Sequence, residues 1–314
     1  MNKVTILTII SWFSLCPLCL CGENSPSLEA RLAPLAKAHE GKAAVAVKHL
    51  ETGESYTFNA DEPLSTASLI KFPVMVETYF QYQEGKVRPS DLCILHEGDK
   101  VPGSGILTSH FSPGASFPLR DAVRLMIVYS DNTATNLVLD HIGLAATAKR
   151  MEALGLPNTK IHAKVYRRET SIYPERSKQF GLGSTTANEM VRLLALLHQG
   201  KLVSPEACKE MLETMKKCED PKKFPRFLPP GTAVAMKTGY VNASRTCAGI
   251  IYVPKPGGDP KKPALQPVAV CVLTDQNKDQ SWTIDSAGDL LCAKVAKEVY
   301  DHFNNLPATT TGGR

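Results

Sequence analysis

A serine and a lysine stand three residues apart in the run Ser68-Leu69-Ile70-Lys71, at the start of a segment with a helical pattern. Residues with this spacing share one face of a helix. A serine hydroxyl is a poor nucleophile until a base takes its proton, and a lysine desolvated in a cleft is neutral often enough to act as that base. The pair therefore predicts nucleophilic catalysis by Ser68 with Lys71 beside it, although so short a motif needs support from elsewhere in the chain.

Two further short motifs supply that support. Ser130-Asp131-Asn132 lies between two helical stretches, and Lys237-Thr238-Gly239 ends a predicted strand. Taken alone, Ser130-Asp131-Asn132 is typical of a helix cap, because Ser, Asp and Asn are all favoured at the N-cap position. The second, taken singly, reads as a strand that leads into a turn. The three motifs together, one on a helix, one in a helical lobe and one on a strand, are hard to explain as coincidence and indicate a single site.

The elements that must position these motifs follow a simple order. Residues 27–39 have the spacing of an amphipathic helix, and the β-rich segments 43–50 and 55–59 follow as a hairpin. Helical patterns dominate from about residue 68 to residue 215. Three β-rich segments and a closing helix follow, at residues 232–237, 246–253, 267–275 and 282–303. This order predicts an α/β (α+β) fold in which an antiparallel sheet, flanked by N- and C-terminal helices, carries an inserted all-helical lobe, with the cleft where the two lobes meet.

The N-terminus has the order of a secretory signal peptide: a lysine at position 3, an apolar stretch to Cys21, then a polar flank. A membrane anchor is the competing interpretation, but the apolar stretch is short for a span. A lipid anchor on Cys21 is disfavoured because Leu20 is bulky. We therefore predict a secreted or periplasmic protein with no stable membrane span after cleavage. The expected divisions are a signal peptide over 1–21, a catalytic domain over 22–306 (α/β lobe about 27–67 and 220–304, helical lobe about 68–219) and a disordered tail over 307–314.

The distribution of charge and the motifs that the sequence lacks argue against several other classes of protein. The net charge of +5 is spread without a run of five like charges, which argues against nucleic-acid binding. The sequence contains no His-Glu-x-x-His, no Walker loop and no Gly-x-Gly-x-x-Gly, so we expect no metal and no cofactor. Six cysteines remain beyond the predicted signal peptide, and either disulfides or buried free thiols are compatible with that number. We expect a monomer.

The three motifs, in this order, resemble those of the penicillin-recognising serine enzymes, and most closely those of the class A β-lactamases and related exported hydrolases. The resemblance spans nearly all of the chain beyond the signal peptide. The further matching stretches are Gly103-Ser104-Gly105-Ile106-Leu107, Thr133-Ala134-Thr135-Asn136, Thr185-Thr186 and Ser244-Arg245.

The resemblance implies a role in the reaction for four residues. Ser68 would be acylated, and its backbone N–H, with that of Tyr240, would form the oxyanion hole. Lys71 would be the base or part of the proton relay. Ser130 would pass a proton to the nitrogen of the leaving group.

The same resemblance implies how the substrate is held. Asn132 would hydrogen-bond its side-chain amide. Lys237, Thr238 and Arg245 would hold its carboxylate, the arginine through paired charge-assisted hydrogen bonds. Gly239 would keep the strand edge bare so that the substrate can lie against it.

The loop that would carry the deacylating base departs from the class A pattern Arg-x-Glu-x-x-Leu-Asn. Here the run is Arg167-Arg168-Glu169-Thr170-Ser171-Ile172-Tyr173, so that Tyr173 replaces the final asparagine. Glu169 is the expected base, and a surface glutamate in a charged loop is the alternative.

The resemblance thus predicts a β-lactamase that opens the β-lactam amide through an acyl-enzyme on Ser68. A penicillin-binding D,D-peptidase or transpeptidase shares the three motifs without an efficient deacylating glutamate, and a catalytically silent sensor domain is a third possibility. The expected partner is a small-molecule β-lactam or a cell-wall peptide as substrate.

Overall fold

The computed structural model describes residues 26–305, except 258, 260 and 261. The predicted signal peptide over 1–21 and the predicted tail over 307–314 lie outside the described residues.

The elements of the described chain follow one another in this order: α1 Leu28–Lys37, β1 Lys42–His49, β2 Ser55–Phe58, β3 Leu64–Ser65, α2 Lys71–Gln83, β4 Leu92–Ile94, α3 Leu107–His110, β5 Ser116–Pro118, α4 Leu119–Val128, α5 Asn132–Ile142, α6 Leu144–Ala153, β6 Lys160–Ile161, α7 Pro174–Phe180, β7 Gly183–Thr185, α8 Ala187–His198, α9 Pro205–Met215, β8 Val234–Val241, β9 Ser244–Pro254, β10 Leu265–Asp275 and α10 Ala287–Asn304.

The main sheet has five strands in the order β2-β1-β10-β9-β8, with antiparallel pairing throughout. Strands from both ends of the chain therefore build one sheet, as predicted. Its alternating side chains enter two cores, because successive residues of a strand point to opposite faces. Residues such as Val45, Val270 and Val272 join the core beneath α1 and α10, and Ala44, Ala46 and Cys271 join the core of the helical lobe. The predicted α+β architecture with an inserted helical lobe is confirmed.

Two boundaries differ from the prediction in ways that affect the site. Ser68 lies in a 3₁₀ turn over Ala67–Ile70, and the α-helix begins only at Lys71. The closing helix begins at Ala287 rather than residue 282, because the Asp279 carboxylate accepts the Ala287 N–H at 2.7 Å and stops the helix from extending backwards. Two small sheets, β3-β7-β6 and β4-β5, were not predicted; their strands have only two or three residues.

The six cysteines from Cys93 to Cys292 are free thiols, so the described part of the chain contains no disulfide. Five of them are buried and Cys218 is half-buried. Within residues 26–305, no helix combines the length and the apolar character that crossing a membrane requires.

Candidate active site

A cavity of about 720 Å³ lies between the exposed edge of β8 and the helical lobe. All three motifs contribute to its wall. The predicted site residues that line it are Ser68, Ser130, Asn132, Lys237, Thr238 and Tyr240.

Ser68 is half-buried at the wall of the cavity, in the 3₁₀ turn before α2. Ala67, just before it, has φ of +45°, a left-handed conformation that is costly for any residue with a Cβ. Such strain is kept where the surrounding structure enforces it, often at a functional site. The Ser68 hydroxyl has no hydrogen-bond partner among the described residues, and the cavity is open to it.

Lys71 is fully buried, one turn further along. Its Nζ donates to the Ser130 carbonyl at 2.5 Å, to Asn132 Oδ1 at 2.8 Å and to Ser130 Oγ at 3.2 Å. Burial lowers the pKa of Lys71 well below its usual value of 10.5, the positive charge of Lys237 lowers it further, and the negative charge of Asp131 acts in the opposite direction. The lowered pKa makes the neutral amine of Lys71, the form that can accept a proton, more accessible than in an exposed lysine.

The three motifs meet at the hydroxyl of Ser130. Lys71 Nζ approaches it at 3.2 Å from one side, and Lys237 Nζ, also fully buried, approaches it at 3.0 Å from another. Ser130 has φ of +53°, and its carbonyl accepts from Lys71 and from Ser104 Oγ at 2.7 Å. These contacts hold the hydroxyl between two lysine amino groups in the cavity wall, where it can relay a proton.

The middle motif combines a cap with two site residues. Asp131 is the N-cap of α5: its Oδ1 accepts the Ala134 N–H at 2.8 Å, while its Oδ2 accepts the N–H groups of Ile106 and Leu107. Both oxygens of the Asp131 carboxylate thus accept backbone N–H groups, and the helix cap that the sequence indicated at this motif is present. Ser130 and Asn132, on either side, face the cavity.

Gly239 gives the sheet edge its close fit against the 3₁₀ turn Ala67–Ile70, which carries Ser68. A Cβ at this position would overlap with Thr246 Oγ1 and the Thr66 carbonyl, and would lie 2.9 Å from the Leu69 nitrogen. Thr246 Oγ1 itself donates to the Thr66 carbonyl at 2.8 Å. Gly239 is therefore needed for the approach of β8 to the turn that carries Ser68.

Arg245 does not reach the cavity. It pairs with Tyr240 across the β8–β9 ladder and is only 1% exposed, on the face of β9 opposite to Thr246. Its guanidinium donates to the carbonyls of Val241, Asn242, Ser244 and Ser281, and lies against the Trp282 ring, 4.7 Å from its centre. The alternation of side chains along the strand puts Thr246, and not Arg245, on the side of the turn that carries Ser68.

Beneath Tyr240, a cluster of charged side chains is buried. Asp289 lies between two cations, 3.6 Å from Lys223 Nζ and 3.7 Å from Arg245 Nε. The Tyr240 ring covers Lys223 Nζ at 3.5 Å, and its hydroxyl donates to Asp220 Oδ2 at 2.7 Å. The cluster fixes the aromatic side chain that borders the cavity.

Glu169 is exposed, in a 3₁₀ turn over Arg168–Thr170, and does not line the cavity. The part of the same loop that faces the cavity includes Val165 and Tyr166. The Asn136 side chain holds Val165 on both sides, accepting its N–H at 2.8 Å and donating to its carbonyl at 3.0 Å. The structure thus brings together the predicted residues of the three motifs but leaves Glu169 and Arg245 outside the cavity.

Sequence reasoning missed Lys223, Asp289 and the cavity-lining Asp220. The first two are far from any motif, and nothing local marks them as buried. The position of Arg245 could have been found from the alternation along β9, once the strand was taken to begin at Ser244.

Among the described residues, no group of three or more His, Cys, Asp or Glu side chains is placed to hold a metal ion. The described residues that bring polar groups to the cavity include Ser68, Ser130 and the two buried lysines Lys71 and Lys237.

Arg245→Ala should lower the free energy of unfolding by about 3 kcal/mol, because it removes one cation from a buried charged cluster and leaves several carbonyls without a donor. Arg88→Ala is the matched control, since the Arg88 side chain is 79% exposed in its pair with Asp91 and should contribute at most about 1 kcal/mol. Urea unfolding of both variants measures this. A loss below about 1 kcal/mol for Arg245→Ala would contradict the structural role.

Comparison with known proteins agrees with this geometry. Residues 27–303 match the model of the "Beta-lactamase enzyme family". The extended-spectrum β-lactamase PER-1 of Pseudomonas aeruginosa is 22% identical over 290 residues, which cover 88% of this chain and 87% of that protein. A β-lactamase structure from Sphaerobacter thermophilus has a TM-score of 0.75 at 26% identity, covering 89% of this chain and 99% of that one. The structure of PBP-A has a TM-score of 0.74 at 23% identity, covering 89% and 96%. The chain therefore belongs to the β-lactamase enzyme family, a family of serine hydrolases that act on β-lactams.

Proposed function

We propose that this protein opens β-lactam rings by attack of Ser68 on the ring carbonyl, through an ester between Ser68 and the opened ring. The observation that carries this proposal is the double contact at Ser130 Oγ, 3.2 Å from Lys71 Nζ and 3.0 Å from Lys237 Nζ, in the wall of the cavity that Ser68 lines.

In the proposed acylation step, Ser68, Lys71 and Ser130 supply the nucleophile and carry the proton that the ring nitrogen needs. The Ser68 Oγ–carbon bond forms, the amide C–N bond of the ring breaks, and the Ser68 proton passes to the neutral amine of Lys71. Lys71 and Ser130 then deliver a proton to the ring nitrogen, which leaves as an amine. Hydrolysis of the ester by water restores Ser68.

Substrate binding is proposed to rest on the β8 edge. With Arg245 committed to the buried cluster, Lys237 and Thr238 are the groups on this edge that suit a substrate carboxylate. Asn132, whose amide also donates to the Pro102 carbonyl at 2.9 Å, borders the cavity and suits an amide on the acyl side.

Export is part of the proposal. It is supported by the charged, apolar and polar order of the first residues, which is typical of a signal peptide. Fractionation of cells followed by mass spectrometry tests it: the protein should be found outside the cytoplasm without residues 1–21, and a protein that stays in the cytoplasm with these residues attached would contradict the proposal.

A second candidate function is that of a penicillin-binding peptidase, in which the ester is long-lived. The observation that favours it is the position of Glu169, in solvent and outside the cavity. The carboxylates that do line the cavity are those of Glu219 and Asp220, and Asp220 is already engaged by the Tyr240 hydroxyl. A PBP-A mutant solved as an acyl-enzyme complex with penicillin G has this fold, with a TM-score of 0.74 at 23% identity.

Ser68→Ala should abolish covalent attachment of a β-lactam, because no other residue would supply the attacking oxygen. Intact-mass spectrometry of wild type and variant after incubation with penicillin G measures this. A variant that still gains the mass of the ligand would place the nucleophile elsewhere.

The acylation rate should rise with pH through a midpoint well below 10.5, because the protonated form of Lys71 is inactive and its pKa is lowered. Lys237→Gln should move that midpoint to higher pH, since it removes the positive charge that helps to lower the pKa of Lys71. Stopped-flow acylation across pH measures both. A midpoint that moves to lower pH, or not at all, would exclude Lys71 as the base.

The lifetime of the ester separates the two candidate functions. Glu169→Gln should change it by less than about twofold, because the carboxylate is in solvent, whereas Val165→Glu should shorten it at least about tenfold by placing a carboxylate at the cavity wall. Val165→Gln is the control of matched shape. If Glu169→Gln instead lengthens the lifetime of the ester at least about tenfold, then Glu169 does reach the ester, and the hypothesis of a β-lactamase with Glu169 as the deacylating base is correct.

A further inference from the structure

Lys223 is a fully buried cation that none of the three motifs contains. It lies just before the 3₁₀ turn Phe224–Phe227, and its Nζ donates to the carbonyls of Gly239 at 2.7 Å and Thr246 at 2.9 Å. These two residues face each other across the β8–β9 ladder. Lys223 therefore binds the sheet directly behind its exposed edge.

The register of β8 and β9 fixes where each peptide group of the edge points. The Tyr252 N–H donates to the Ala233 carbonyl, which makes that pair a hydrogen-bonded one. Hydrogen-bonded and non-hydrogen-bonded pairs alternate along an antiparallel ladder, so Gly239–Thr246 is again a hydrogen-bonded pair and Tyr240–Arg245 is not. The Gly239 carbonyl therefore points to β9, and the Tyr240 N–H points away from it. Because β8 is the edge strand, the Tyr240 N–H points to the cavity side.

The Gly239 carbonyl and the Tyr240 N–H belong to the same peptide group. The peptide is trans, so its oxygen and its hydrogen lie on opposite sides. An ammonium on the oxygen pins the plane of the group and draws electron density towards itself, which strengthens the N–H as a donor on the other side. Such a donor is what a developing oxyanion requires.

We propose that Lys223 is a positioning residue for the acylation reaction: by binding the Gly239 carbonyl it aims and polarises the Tyr240 N–H as a donor to the oxyanion. The proposal rests on the proposed attack by Ser68. Lys223 is held in place by Asp289, 3.6 Å away, and by the Tyr240 ring, and it does not line the cavity, so it acts without touching the substrate.

The test is the infrared carbonyl band of the Ser68 ester, formed with penicillin G and isolated by isotope-edited difference spectra. Hydrogen bonds from an oxyanion hole lower the stretching frequency of this carbonyl. In Lys223→Met the band should move to higher wavenumber. Loss of a whole oxyanion donor costs about 100- to 1000-fold in rate, so a misaimed donor should slow acylation by about 10- to 100-fold.

A separate measurement distinguishes this role from a general disturbance of the sheet. Non-covalent binding of penicillin G to Ser68→Ala and to Ser68→Ala/Lys223→Met should agree within about twofold, since the carboxylate and amide contacts remain. Lys255→Met, at the far end of β9 and paired with Glu51 on the surface, is the control and should leave band and rate unchanged.

An unshifted band in folded Lys223→Met overturns the proposal, as does a loss of binding equal to the loss of rate. If Lys223→Met does not fold, Lys223→Gln, which keeps a donor without the charge, should give a smaller shift in the same direction, and no shift overturns the proposal. A wild-type protein that forms no ester overturns the attack by Ser68 and this role of Lys223 together, whereas an ester with an unchanged band in the variants overturns only the latter.

Discussion

Two buried lysine amino groups share one serine hydroxyl in this protein, and much of the surrounding structure limits the cost of that arrangement. Lys71 and Lys237 are both without exposure, and like charges at such separations repel strongly in a poorly solvated site. Burial lowers the pKa of both lysines, which relieves the repulsion by making a neutral form accessible. The carbonyls of Ser130 and Thr238 and the amide of Asn132 accept the remaining protons. The burial that makes these two charges costly is thus also what lowers the pKa of the lysines and makes a neutral amine accessible at the site.

Strained backbone surrounds the same cavity. Five non-glycine residues of the described chain have positive φ, and three of them, Ala67, Ser130 and Tyr166, line the cavity. Each costs free energy that the rest of the fold must offset. Ser130 is held by two donors on its carbonyl, and Ala67 lies between Thr66 and Leu69, whose backbone Gly239 approaches closely. Their positions show that the sheet and the helical lobe together enforce the shape of the site.

The sequence was sufficient for the parts of the site that depend on local spacing. Ser68 and Lys71 lie one helical turn apart, and the three motifs fall on predicted elements, so their meeting followed from the order of helices and strands. Arg245 required the register of β9, where a one-residue difference changes the face of the sheet. Glu169 required the path of an irregular loop, which is set by contacts such as those between Asn136 and Val165 rather than by its own residues. Lys223 required the tertiary fold, since only packing shows that a lysine beside another lysine is buried.

The free cysteines have a consequence for how the protein responds to its surroundings. Burial raises the pKa of Cys247 and Cys271 well above the ordinary value and that of Cys292 to about 12, so the reactive thiolate is scarce in each. An electrophile or an oxidant can therefore modify these sulfur atoms only when the core around them opens. For Cys247 and Cys292 the sheet must separate from α10, and for Cys271, on the other face of the sheet, it must separate from the helical lobe. The rate at which each thiol is modified then reports how often its core opens, so the three cysteines are built-in probes of local unfolding on both faces of the sheet.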